Sequence, residues 1–167
     1  MDKQICLVLD NVRSALNVGS ILRTADGLGV ETVYLCGYTP YPKVPNDSRL
    51  PHLSQKIHNR IAKTALGAET TQAFVYKQNI EDVILELKQR GYMVIGLEQS
   101  ETSQALQLIK PVESKLALIV GNEVEGINKH ILKSCDLVAQ IDMAGQKESF
   151  NVSAASAMAL FYFRYML

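Results

Sequence analysis

Six short apolar runs recur along the chain, at residues 4–9 (QICLVL), 32–35 (TVYL), 73–76 (AFVY), 92–97 (YMVIGL), 115–120 (KLALIV) and 137–141 (LVAQI). The first is continuously apolar and bounded by Lys3 and Asp10, as expected for a strand covered on both faces. Between the runs lie segments with helix signals. Residues 80–90 place Val83, Ile84 and Leu87 on one face and stop at Gly91, and a short helix is expected through Ile131 and Leu132. Strands alternating with helices imply an α/β domain with a mostly parallel sheet. Ligands of such sheets sit beyond the carboxyl ends of the strands.

The C-terminal stretch 141–157 (IDMAGQKESFNVSAASA) reads as strand, glycine turn, polar loop and helix. Gly145 supplies a permissive backbone for a turn, and Ser149 or Asn151 caps the helix by accepting a bond from an orphan N–H. Small side chains from Val152 to Ala157 let another backbone lie close. Val152, Ala155, Ala159, Tyr162, Phe163 and Met166 recur at helical spacing as its buried stripe. Near the other end, Asn17 is a suitable N-cap for a helix carrying Ile21, Leu22 and Ala25. Asn17 and Arg23 stand six apart, offset by roughly 120° around an ideal helix, so both can face one cleft without touching.

Pro40, Pro42, Pro45 and Pro51 crowd into one stretch, which is expected to form a long surface loop over residues 40–63. Its cations Lys43, Arg49, Lys56, Arg60 and Lys63 face Asp47 as the single anion, with Tyr38, Tyr41, His52 and His58 among or beside them. Basic groups interleaved with rings suit single-stranded or looped RNA, and a solvated mobile loop is the plainer alternative. Residues 98–111 read as a polar connection with one helical turn.

Length and charge narrow the rest. The chain of 167 residues suits one domain, and its 17 basic and 17 acidic side chains cancel, so any basic surface is local. Cys6, Cys36 and Cys135 are far apart and form no CxxC pair, against a zinc site or disulfide framework and for a reducing cytoplasm. No apolar run reaches the roughly twenty residues that span a bilayer, and no leader pattern opens the chain, so a soluble protein is expected. The pair Gly27 and Gly29 follows a helix and lacks the third glycine of a dinucleotide fingerprint. Gly121 and Gly126 have the outer spacing of a phosphate loop, but Ile127-Asn128 stands where Lys-Ser/Thr is required, which disfavours ATP and GTP. Glu123, taken alone, reads as a cap or a surface acid.

Three segments change that reading together: residues 17–24 (NVGSILRT), 119–126 (IVGNEVEG) and 141–154 (IDMAGQKESFNVSA). In this order they resemble the three signature motifs of the SpoU/TrmH family of RNA methyltransferases, the SPOUT superfamily, and the resemblance covers essentially the whole chain. It implies a C-terminal deep trefoil knot, an exception to the rule against threaded chains. It implies S-adenosylmethionine bound in the knot, largely through main-chain groups, around Leu97, Gly121, Ile141, Met143 and Phe150. It further implies a homodimer packed through its first and last helices, methylating a ribose 2′-hydroxyl of transfer or ribosomal RNA. By motif position Arg23 acts at the hydroxyl, with Asn17, Glu123, Ser149 and Asn151 positioning it, the ribose or the cofactor. Arg23 is then either a base assisted by an RNA phosphate or a clamp on that phosphate.

Two positions depart from the family pattern: Asp142 replaces a common proline, and Phe150 a leucine. The expected domain is 1–167 without an N-terminal RNA-binding extension, which leaves substrate choice to the 40–63 stretch, the surface around Arg13 and the partner subunit. The competing readings are an RNA-binding or assembly module without turnover, and a small-molecule enzyme on a nucleotide-binding sheet. The intact polar set disfavours the first and the failed glycine fingerprints the second.

Overall fold

The computed structural model describes residues 3–111 and 113–166, so Leu167, last of the apolar C-terminal tail, lies outside the described residues. Among them, seven parallel strands form one sheet in the order β3-β2-β1-β6-β4-β7-β5. The strands are β1 (Gln4–Asp10), β2 (Thr32–Cys36), β3 (Phe74–Lys77), β4 (Met93–Leu97), β5 (Gln104–Ala105), β6 (Lys115–Val120) and β7 (Leu137–Gln140). The central strands are apolar on both faces because helices cover both. Ile5, Leu7 and Leu9 turn to one side, where helices α1 (Ala15–Gly27), α2 (Pro51–Ala65) and α6 (Val152–Tyr165) pack. Cys6 and Val8 turn to the other, beneath α4 (Ile80–Gln89) and α5 (Lys129–Ser134). A short α3 (Ala68–Thr71) follows α2.

The expected α/β class and the α4 face of Val83, Ile84 and Leu87 agree with the structure. Four local expectations do not. The 40–63 stretch is a loop only as far as residue 50, because Pro51 occupies the first helical turn of α2, where a missing N–H costs nothing. Ser14 caps α1: its Oγ accepts from the N–H of Asn17, which therefore lies within the first turn. In α6 the buried set is Val152, Ser156, Ala159, Leu160 and Phe163, while Met166 is exposed. Ser156 escapes a hydrophobicity count because its hydroxyl donates back to the carbonyl of Val152 at 2.7 Å. The 98–111 connection contains edge strand β5, too short to leave a periodic signal, besides a turn of 3₁₀ helix at Leu106–Leu108.

Two contacts fix the helices that carry the polar residues. Arg164 near the end of α6 donates to the carbonyls of Leu28, Gly29 and Lys3 at 2.7–2.9 Å, tying the last helix to the α1–β2 turn and to the entry of β1. Gly19 lets α1 and α2 meet backbone to backbone, since a Cβ there would stand 2.1 Å from the carbonyl oxygen of Ile61. Gly19→Ala must push the helices apart, an overpacking cost on the order of 1–3 kcal/mol. Thermal unfolding should show a drop of several degrees for this variant, and an unchanged midpoint would contradict the close approach.

Candidate active site

The carboxyl ends of β4, β6 and β7 feed three loops that enclose a cavity of about 520 Å³ with the start of α6. Leu97, Gly121, Ile141 and Phe150 line it, as do Glu123, Ser149 and Asn151. Met143 does not, and neither do Asn17 or Arg23. Sequence reasoning missed Glu98, whose two carboxylate oxygens accept the N–H groups of Ile127 at 2.8 Å and Gln99 at 2.9 Å. It also missed Asn122, whose Oδ1 accepts from the N–H groups of Val124 and Glu125 and folds the 122–126 turn. Neither is marked by periodicity; a short polar residue followed by a turn glycine is the signal that could have drawn attention to Asn122.

Gly121 is required by packing, because a Cβ would lie 2.5–2.6 Å from the backbone of Gly126 and Ile127. Gly145 is not: its φ is not positive, and a Cβ there would meet nothing within 4 Å. The glycine turn expected at 145 is an open bend without steric demand.

At the cavity rim the three separated segments join by hydrogen bonds. Glu123 Oε1 accepts from Asn17 Nδ2 at 2.9 Å and from the N–H of Ser14 at 3.1 Å, and Oε2 accepts from the N–H of Arg13 at 2.9 Å. Asn17 Oδ1 in turn accepts from Asn151 Nδ2 at 3.2 Å, while Asn151 Oδ1 caps α6 through the N–H of Ser153 at 2.9 Å. Glu123 thus sits against the orphan N–H groups leading into α1, where an anion is stabilised. Partial burial works to raise its pKa, but the bonds from Arg13, Asn17 and Ser14 outweigh it and hold the carboxyl below its ordinary value. A carboxylate so occupied is a poor proton acceptor and a good strut. Ser149 is exposed on the cavity wall without a hydrogen bond to the described residues.

Arg23 is exposed on α1 and has no hydrogen-bond or ion-pair partner among the described residues. Of the basic set, Arg13, Lys43, Lys56, Arg60 and Lys63 are exposed. The helix they were not expected to form sets Lys56, Arg60 and Lys63 along one exposed side of α2 at i, i+4 and i+7. Arg49 differs. Its guanidinium clasps Asp47 with two bonds, donates to the carbonyls of Tyr41 and Pro42 at 2.9 and 3.1 Å, and lies 3.5 Å over the ring of Tyr41, which stacks on Tyr76. Its donors are engaged within the loop, so it shapes that loop and is not free to meet a phosphate. Asp142 accepts from Gln140 Nε2 at 2.7 Å and Gln107 Nε2 at 3.3 Å, which ties down the position where the family's proline is missing.

The profile of the SpoU rRNA Methylase family matches residues 4–161. The chain belongs to that family. A 23S rRNA (guanosine-2′-O-)-methyltransferase RlmB from Ralstonia nicotianae is 36% identical over 157 residues, covering 94% of this chain and 57% of the relative. The chain spans a little over half the length of the curated relatives it matches first, 54–57%. Among solved structures, an AdoMet-bound rRNA methyltransferase from Sinorhizobium meliloti superposes with a TM-score of 0.82 at 24% identity, over 100% of this chain and 58% of the other. A second, described as giving structural insights into the 2-OH methylation of C/U34 on tRNA, has a TM-score of 0.72 at 20% identity and is covered over 98% of its length by 99% of this chain. At these identities the structures establish the fold. No helix of the described residues is long and apolar enough to cross a membrane.

Beside the site, the end of β1 carries Asp10, only 5% exposed. Burial, reinforced by the Glu81 charge, pushes its carboxyl up to about 6 from 3.8. Between these values the folded protein binds more protons than the unfolded chain, so the group lowers stability as pH rises through that window and the penalty is complete above it. Asp10→Asn keeps an acceptor for the Asn11 amide and removes the charge. Denaturant unfolding at pH 7.5 should find the variant more stable by on the order of 2 kcal/mol, with the gain vanishing below about pH 4. A variant equally stable at pH 7.5, or one whose gain grows in acid, would contradict this.

Proposed function

We propose that this chain is an S-adenosylmethionine-dependent methyltransferase acting on a ribose 2′-hydroxyl in ribosomal or transfer RNA, working in the cytoplasm as a homodimer. The observation that carries the reading is the hydrogen-bonded convergence of Glu123, Asn17 and Asn151 at the rim of a cavity walled by turns. The cavity suits the cofactor. Leu97, Ile141, Phe150 and Val152 offer apolar surface for an adenine, and the Gly121 contact with the 126–127 backbone leaves main-chain groups as the polar wall. When bound, S-adenosylmethionine supplies an electrophilic methyl group.

The protein's own part is alignment of the attacking oxygen and disposal of its proton. Glu123 holds the 122–126 turn against α1, and Asn17 passes that order on to Asn151. Ser149 and Met143 orient the loop that covers the cofactor. Arg23 acts at the hydroxyl: its planar guanidinium grips the adjacent RNA phosphate, which assists removal of the proton to solvent as the oxygen attacks the methyl, and stabilises the developing alkoxide. It reaches a site by crossing the dimer interface. That interface is the exposed apolar face of α1 and α6, formed by Leu16 on Arg23's own helix and by Met158, Phe161 and Tyr165 on α6. In this reading the 141–151 segment and α6 pass through a loop to form the trefoil knot. Its support is the position of β7 between β4 and β5, with the following segment returning to the cavity beside residues 97–99 and 121–126. Arg13, Lys43, Lys56, Arg60 and Lys63 hold the RNA backbone, and Arg49 shapes the loop between them.

The test pairs calorimetry with activity. The protein should bind S-adenosylhomocysteine, and 2′-O-methyl mapping of total RNA should reveal a site that depends on it. Arg23→Lys should keep cofactor affinity and lose methyl transfer by about 100-fold, since a point charge cannot reproduce the fork. Near-normal transfer by this variant would remove Arg23 from its role, and cofactor binding without any turnover of RNA would favour an RNA-binding or assembly module.

A further inference from the structure

A second cavity, of about 930 Å³, adjoins the first at the 122–126 turn and shares Glu98, Gln99, Asn122, Glu125 and Gly126 with it. Tyr38 stands in its wall with 58% of its surface exposed, unusual for a ring that is also held rigidly. Its N–H donates to Asn11 Oδ1 at 3.1 Å, and its hydroxyl accepts from Asn122 Nδ2. Asn122 is the neighbour of Glu123, and the same amide also donates to the carbonyl of Asn11 at 3.1 Å. Asn11 itself adopts a left-handed conformation, φ 55°, which turns its side chain back toward Asp10 and Tyr38. A ring pinned at its backbone and its hydroxyl, with its face open, is a stacking platform already ordered before anything binds. The buried Asp10 carboxylate lines the same cavity as an acceptor, Glu98, Glu101 and Glu125 line it elsewhere, and Lys129 and Lys133 supply its cations.

Resting on the methyltransferase reading above, we propose that Tyr38 is the floor of a subsite for an unpaired nucleobase flanking the methylated nucleotide, and that Asp10 selects bases bearing an exocyclic amino group. The chemistry follows from the wall. A base stacks on a ring whatever its identity, so Tyr38 provides affinity, while a carboxylate accepts from the amino groups of adenine, cytosine or guanine and finds none on uracil. The attached phosphate stays at the rim with Lys129 and Lys133. Keeping an uncompensated carboxylate at this position lowers the stability of the fold, and a recognition role accounts for a charge that packing does not need.

Fluorescence anisotropy of short single-stranded oligo(A), oligo(C) and oligo(U), with saturating S-adenosylhomocysteine, tests both residues. The native protein should bind oligo(A) and oligo(C) more tightly than oligo(U). Tyr38→Ala should weaken all three by about tenfold, whereas Tyr38→Phe, which loses the Asn122 bond but keeps the face, should stay within about twofold. Asp10→Ala, which leaves no acceptor, should erase the preference over oligo(U). Cofactor affinity, read by calorimetry, should hold in all three variants. Insensitivity to Tyr38→Ala, or equal damage from Tyr38→Phe, overturns the subsite while leaving the methyltransferase reading intact. A protein that binds neither S-adenosylhomocysteine nor any oligonucleotide overturns both.

Discussion

One carboxylate holds the site together. Glu123 accepts three hydrogen bonds from the segment that opens α1, and through Asn17 it reaches Asn151, the cap of α6. Each neutral bond contributes only about 1 kcal/mol, and those to the charged group somewhat more. Their importance is geometric: residues more than a hundred positions apart in the chain are locked in register at the cavity rim. The lowered pKa of Glu123 is the electrostatic sign of that engagement and the reason to treat it as a strut.

The sheet supplies the platform. With β1, β6, β4 and β7 all parallel, their carboxyl ends present Asp10, Val120, Leu97 and Gln140 along one edge, and every turn that lines either cavity leaves from that edge. Gly121 and Asn122 then divide the space. Close packing at Gly121 shapes the first cavity, and the Asn122 side chain anchors Tyr38 in the wall of the second. A single turn therefore borders both cavities. The buried Asp10 charge is tolerated beside it at the expense of stability near neutral pH.

Much of this was legible in the residues, for identifiable reasons. Strand and helix order followed from apolar runs covered on both faces, and Asn17, Glu123 and Asn151 were recoverable from motif resemblance, which also carried the family. What stayed hidden depends on tertiary context. Pro51 carries a helix-breaking signal in sequence, which its place in the first turn of α2 cancels. Ser14 outcompeted Asn17 as a cap because Asn17 is drawn to Glu123 instead. Arg49 carried the right charge for RNA, yet Asp47 and Tyr41 claim it locally. Met143 shares the segment of Ile141 but is not among the residues that line the cavity, and Tyr38 gave no periodic signal, being held by a bond across 84 positions to Asn122.

The most direct test of the shared strut is a double-mutant cycle on Asn17 and Asn151, read as calorimetric affinity for S-adenosylhomocysteine. If the two amides act as links in one chain from Glu123, Asn17→Ala and Asn151→Ala should each weaken binding and the double variant should lose less than their sum, with a coupling on the order of 1 kcal/mol. Strictly additive losses, or two singles without effect, would mean that the three segments hold the cofactor cavity independently and would contradict the account.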